Sequence, residues 1–176
     1  MFPSYCLCCE AEVEGGLLLC AYCSAQLEFL EESPFAVAPF TSIAVSMGQV
    51  GPSSSFIRGV HGPYSIRIAE AMSAFMAVTL SRQDWPMPDV IIPSPRDLVF
   101  NRHLASSLSL FLEIPVIEAL KPPSSFYRGE EFRWNLSHSL SGQTVLVADY
   151  LYDSTDDRFQ ILEEAAIQES FFLGFS

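Results

Sequence analysis

Basic residues are scarce in this chain. Its 176 residues hold 9 lysines and arginines against 21 aspartates and glutamates, a formal net charge of −12. Lys121 is the single lysine, and the eight arginines are scattered. A sequence-independent grip on nucleic acid needs a basic face that displaces counterions, so direct nucleic-acid binding is not expected. Long apolar runs are lacking too: none reaches the roughly 18 uncharged residues that would span a bilayer. The start, MFPSYC, has no basic stretch leading into an apolar core, so no secretory signal is expected and the cytoplasm is the expected compartment. Walker-type loops and the G-x-S-x-G elbow are absent. The histidines, His61, His103 and His138, fit no ligand spacing, and His103 reads as opening a helix. No internal repeat or low-complexity tract stands out.

What is present starts with cysteine. All five cysteines lie within the first 23 residues, and Cys6-x-x-Cys9 and Cys20-x-x-Cys23 form two knuckles ten residues apart. Each knuckle sets two thiolates on one tight turn, and two such turns make a closed four-thiolate zinc site. Disulfides are the alternative; in a reducing compartment they are disfavoured. Four thiolates leave no position for water, so the zinc is expected to be structural. Cys8 is the odd thiol. Gly15-Gly16 reads as the turn between two short extended arms, as in a zinc ribbon or treble-clef knuckle.

At 49% hydrophobic, the remainder can bury one core. Ser24–Glu32 reads as a short helix with Leu27 and Leu30 inward. Residues 1–33 are then a zinc-knuckle module, 34–40 a proline-containing linker, and 41–176 the main domain. There, residues 41–47 read as a strand, 48–55 as a turn-rich loop, and 66–80 as an amphipathic helix through Ile68, Met72, Phe75 and Val78. Residues 89–92 read as a strand. Leu104, Leu108, Phe111 and Leu112 mark a second helix, and 115–117 a short strand. Val145–Val147 is an apolar run suited to a buried parallel strand. Asp149 follows it, then Ser154, Thr155, Asp156 and Asp157, then a helical pattern through Phe159, Leu162 and Ala166. Alternating strands and helices predict a mostly parallel α/β sheet, whose ligands bind beyond the carboxyl ends of the strands.

These motifs together resemble the ComF/GntX family of bacterial competence-associated proteins. Cys6, Cys9, Cys20 and Cys23 match its zinc knuckles. Phe56-Ile57-Arg58-Gly59-Val60-His61 lies where the family has an apolar pair leading to a lysine, with His61 in the lysine's place. Residues 89–95, DVIIPSP, match a strand-plus-prolines segment. Phe100-Asn101 fits the core of an Arg-Gly-Phe-Asn-Gln motif, and Arg133, Asn135 and Leu136 fit an Arg-x-Asn-apolar motif. Residues 145–157 lie on a phosphoribosyl-pyrophosphate signature. The resemblance implies a phosphoribosyltransferase-like fold of type I, phosphoribosyl pyrophosphate with magnesium as ligand, and a protein partner in DNA uptake or a helicase machinery.

The chain departs from that pattern where ligand chemistry is concentrated. Of two signature aspartates only Asp149 remains, with Tyr150 in the second place. The family's Thr-Thr-Gly-Ala-Thr loop is Asp153-Ser154-Thr155-Asp156-Asp157 here, so Thr155 stands where glycine would let a phosphate approach the backbone. Two unit charges about 4 Å apart repel by roughly 4 kcal/mol at an effective dielectric near 20, and a phosphate would meet several. Arginine, glycine and glutamine of the other motif are gone, leaving Arg96 or Arg102 as nearby cations. Trp134 is the one aromatic read as a candidate contact. Two readings stand: a zinc-stapled, catalytically degenerate partner-binding protein, and an active phosphoribosyltransferase or phosphoribosyl-pyrophosphate sensor using Asp149 with Ser154 and Thr155.

Overall fold

Short apolar runs, buried on both faces, build the centre of the sheet. In the computed structural model, residues 5–27, 34–48, 51–121, 135–151 and 157–175 are described. The strands of the main sheet are β1 (Phe35–Val37), β2 (Phe40–Val45), β3 (Val90–Pro93), β6 (Thr144–Ala148) and β7 (Glu169–Gly174), in the order β1-β2-β7-β6-β3. The last four run parallel, and β1 closes one edge antiparallel. A two-stranded ribbon, β4 (Leu120–Lys121) with β5 (Asn135–Leu136), stands apart. Val145 and Val147 face one side of β6 and Leu146 and Ala148 the other, which is why a parallel strand buried on both faces reads as an unbroken apolar run.

Helices cover one face. Helix α2 (Ser53–Gly59), α3 (Ser65–Ser81) and α4 (Leu98–Leu112) pack Phe56, Ile68, Met72, Met76, Leu104 and Leu108 against Ile91, Leu146 and Phe171. The other face is covered more thinly. A 3₁₀-helix, Asp157–Ala165, lays Phe159 and Leu162 on Phe40, Val145, Val147 and Phe172. Residues i and i+3 eclipse in that winding, so the pair forms a single apolar edge. The fold class is as expected: mixed α/β, a mostly parallel sheet with flanking helices, and a four-cysteine cluster near the amino end.

Several elements differ from the sequence expectation. Helix α1 is Ala21–Ser24, capped by the Cys20 side chain accepting from Cys23 N; of the helix expected over 24–32, residues 25–27 do not continue α1 and residues 28–32, Leu30 among them, lie outside the described residues. Segment 34–40 carries β1. Helix α2 begins within the 48–55 stretch expected as loop; there the Ser54 hydroxyl donates to Gly51 O at 2.8 Å and Ser53 donates to Gly48 O. His103 does not open a helix but lies inside α4, exposed. Ala166 lies just past the 3₁₀-helix, exposed and with φ of +49°, rather than inward. Residues 115–117 contribute one parallel bridge, Val116 to Ile91. No helix among the described residues is long and apolar enough to cross a membrane.

Candidate functional site

The parallel strands deliver their functional groups to one edge. Strand β6 ends at Ala148, and Asp149 continues its pairing by donating N–H to Leu173 O at 3.2 Å, while Ser94 N donates to Ala148 O at 2.9 Å. Asp149 is thus set between the end of β7 and the loop after β3, and it is fully buried. Its Oδ1 accepts from Asn101 Nδ2 at 3.1 Å and from Leu151 N at 3.2 Å. Asn101, also fully buried, donates to Ser94 O at 3.2 Å and accepts from Tyr150 N at 3.1 Å. One side chain of α4 therefore binds together the loop after β3 and the turn after β6.

Arg96 supplies the charge opposite. Its Nε lies 3.7 Å from Asp149 Oδ2, too long for a hydrogen bond and close enough for a strong Coulomb pairing. Burial pushes the Asp149 carboxyl up from 3.8 to about 6, against the opposing pull of the Ser94 hydroxyl, the Asn101 amide, the Arg96 charge and the Leu151 N–H. Tyr150, where the second aspartate was expected, turns its ring edge-on to Phe100 at 5.5 Å between centroids. That position supports packing and carries no acid.

Other side chains among the described residues make contacts of their own. Asp97 is the N-cap of α4: its Oδ1 accepts from Phe100 N at 3.2 Å, the usual use of an aspartate before a helix. Its Oδ2 meets His61 Nδ1 at 3.2 Å. His61 thus pins the segment between α2 and α3 to the start of α4. Arg102 pairs with Glu118 on the surface through both Nε and Nη2 and supplies no charge to the Asp149 cluster. His138 forms a local contact with the Ser137 hydroxyl at 2.9 Å. Asp153, Ser154, Thr155, Asp156, Arg133 and Trp134 lie outside the described residues. Asp157 opens the 3₁₀-helix, and Asn135 opens β5. Sequence reading singled out Asp149 and Asn101 separately. Their direct contact across 48 positions, and the His61–Asp97 pair, carry no local signal.

The second centre is the cysteine cluster. Cys6 N donates to Ala11 O at 2.7 Å and Glu10 N to Cys6 O at 3.0 Å, closing the first knuckle with Glu10 in the left-handed region at φ of +60°. The second knuckle is the first turn of α1. The Sγ atoms of Cys6, Cys9, Cys20 and Cys23 all lie within 4.8 Å of one another, and Cys9 and Cys20 are 3.6 Å apart. A tetrahedron with zinc–sulfur bonds of about 2.3 Å has edges of about 3.8 Å, so the set fits such an ion. All five cysteines are free thiols. Burial, reinforced by the neighbouring sulfurs, pushes the Cys23 thiol up, so an uncompensated thiolate is disfavoured there. A bound cation removes that penalty. Cys8 takes no part in the set. Cys6, Leu19 and Cys23 pack in the same apolar cluster as α2, α3 and α4, so the knuckles are seated on the helical face of the sheet.

No protein-family model matches the sequence, and no curated protein matches it. Among solved structures it is similar to a glutamine phosphoribosylpyrophosphate amidotransferase from B. subtilis complexed with ADP and GMP, at 15% identity and a TM-score of 0.46. That likeness covers 69% of this chain and 30% of the other. A second similar structure is described as an analysis of an invariant aspartic acid in HPRTs, the glutamic acid mutant: 16% identity, TM-score 0.40, covering 62% of this chain and 65% of that one. This chain therefore spans less than a third of the first and just under two thirds of the second.

Proposed function

We propose that this chain is a ComF-like, zinc-stapled protein that works by binding a protein partner, and that its strand-edge site has lost the transferase reaction. One observation carries this reading: Asp149, the remaining signature carboxylate, is buried and hydrogen-bonded to Asn101 and Leu151 N, with Arg96 beside it. A carboxylate that is to hold ribose hydroxyls must offer its oxygens outward, and an arginine that is to hold a pyrophosphate must not already face a carboxylate. Tyr150 and the substituted 153–157 loop point the same way. The ComF resemblance suggests DNA uptake as the setting, and a net charge of −12 suits a basic partner protein better than DNA itself.

A second reading rests on the place of these groups. Asp149, Asn101 and Arg96 stand at the carboxyl edge of parallel strands, where α/β sheets bind ligands. It makes the protein a phosphoribosyltransferase or phosphoribosyl-pyrophosphate sensor. Calorimetric titration of the zinc-loaded protein with phosphoribosyl pyrophosphate and magnesium separates the two. The partner-binding reading expects no heat up to millimolar ligand from folded protein. A stoichiometric heat, abolished in Asp149→Asn, overturns it.

A further inference from the structure

Helix α4 has two apolar faces, and the fold uses one of them. Phe100, Leu104, Ala105 and Leu108 are buried in the cluster shared with α3 and the sheet. On the opposite side Val99, His103, Ser106 and Leu110 recur four, three and four residues apart, the spacing of a helix-packing seam. All four are exposed, Val99 at 69% and Leu110 at 84%, and Phe111 beside Leu110 is exposed as well. Single apolar residues scattered over a surface are ordinary. A pair of large ones closing the two ends of one helical stripe marks a contact face.

We infer that this face pairs with the same face of a second copy of the chain, two α4 helices lying antiparallel across a two-fold axis. Charge selects the occupant. The chain has a net charge of −12, yet α4 carries no carboxylate in its 15 residues; its basic residues are His103 and Arg102, the latter paired with Glu118. Two copies of an acidic chain meet with least repulsion where neither presents an acid. A basic partner protein gains no attraction from such a face, so it has no reason to choose it. The pattern is also self-complementary. Val99 and Leu110 are equally far from the midpoint between His103 and Ser106. A two-fold axis at that midpoint sets Val99 against Leu110 of the second copy, and His103 against its Ser106. Large apolar pairs then close both ends, and the small serine lets the helices approach at the centre. From Val99 to Leu110 the stripe is about 16 Å long at 1.5 Å per residue. A contact of that size is small, so the dimer is reversible, with a dissociation constant of about 10–100 μM. Asn101 points to the buried side of α4, so the pairing stands whatever the strand edge binds.

Sedimentation equilibrium of the metal-loaded chain tests this between about 5 and 500 μM, a range that brackets such a constant. The mass is expected to rise with concentration from 19.5 kDa toward twice that value. Leu110→Glu is expected to weaken pairing by roughly tenfold or more, as is Val99→Lys, because each buries an unpaired charge at the contact. Met87→Glu, in the exposed loop between α3 and β3, is expected to leave pairing unchanged. The double variant Val99→Lys/Leu110→Glu is expected to recover, since antiparallel packing brings the opposite charges together at both ends of the stripe. A single species of 19.5 kDa throughout the range overturns the proposal, and so does a dimer that Leu110→Glu leaves intact. A double variant that pairs no better than the single ones contradicts the antiparallel register.

Discussion

Asp149 and Asn101 form the node on which the strand edge depends, and both respond in measurable ways. The folded-state value of Asp149, about 6, exceeds the 3.8 of an unburied aspartate, so between these values the folded chain binds a proton that the unfolded chain has released. The stability this group contributes is therefore greatest at low pH, falls as pH rises toward about 6, and is level above. The full change is about 3 kcal/mol. Unfolding free energies of wild type and Asp149→Asn, compared from pH 4 to 7.5, isolate it from other carboxylates; the wild-type advantage is expected to shrink by that amount and then stay constant. Asn101→Ala leaves Ser94 O, Asp149 Oδ1 and Tyr150 N each short of a buried partner, and denaturant unfolding is expected to show a loss of about 3 kcal/mol. Arg102→Ala breaks only an exposed ion pair with Glu118, and a change within about 0.5 kcal/mol is expected in the same assay. Asp149 was legible as an acid after an apolar strand. Its burial was not, because that depends on a helix 48 residues earlier in the chain.

The knuckles and the strands carry a second set of expectations. Cys20 both belongs to the four-sulfur set and caps α1, and its neighbours in that set, Cys6 and Cys23, are part of the main apolar cluster. Cys20→Ser is expected to lose one equivalent of bound metal and to lower the melting temperature of the whole chain, since structural metal binding contributes folding free energy. A variant that keeps both its metal and its melting temperature contradicts the four-cysteine site. Gly174 closes β7 where an added Cβ would come 2.6 Å from the buried Phe172 ring and 3.3 Å from Asp149 O. Gly174→Ala is expected to cost about 1–3 kcal/mol on thermal or denaturant unfolding, because neither a packed ring nor a strand backbone yields cheaply. Strands β3 and β6 were readable as short apolar runs, and helix α3 from its periodicity. Strand β7 was not assigned, since Ser170-Phe171-Phe172-Leu173 follows directly on a polar stretch and nothing local marks it as central to the sheet. Serines 53–55 read as a turn, yet they open α2, because the Ser53 and Ser54 hydroxyls satisfy carbonyls of the preceding turn.

On the scale of the whole molecule, the cysteine spacing and the alternation of strand and helix sufficed for the fold class, since both are local patterns. What they left open is whether the ligand edge still faces outward, which is decided by contacts between segments. There the protein turns its charges on itself: Asp149 toward Arg96 and Asn101, Asp97 toward His61 and the first turn of α4. In the partner-binding reading proposed above, the acidic excess of the chain suits a basic partner better than a phosphate. The most direct test is a carbon-13 magnetic resonance titration of the Asp149 carboxyl, with and without phosphoribosyl pyrophosphate and magnesium. The account predicts that neither the resonance nor its midpoint near 6 moves when the ligand is added. A shift that saturates with ligand concentration would show that this carboxylate still serves a ligand, and would contradict it.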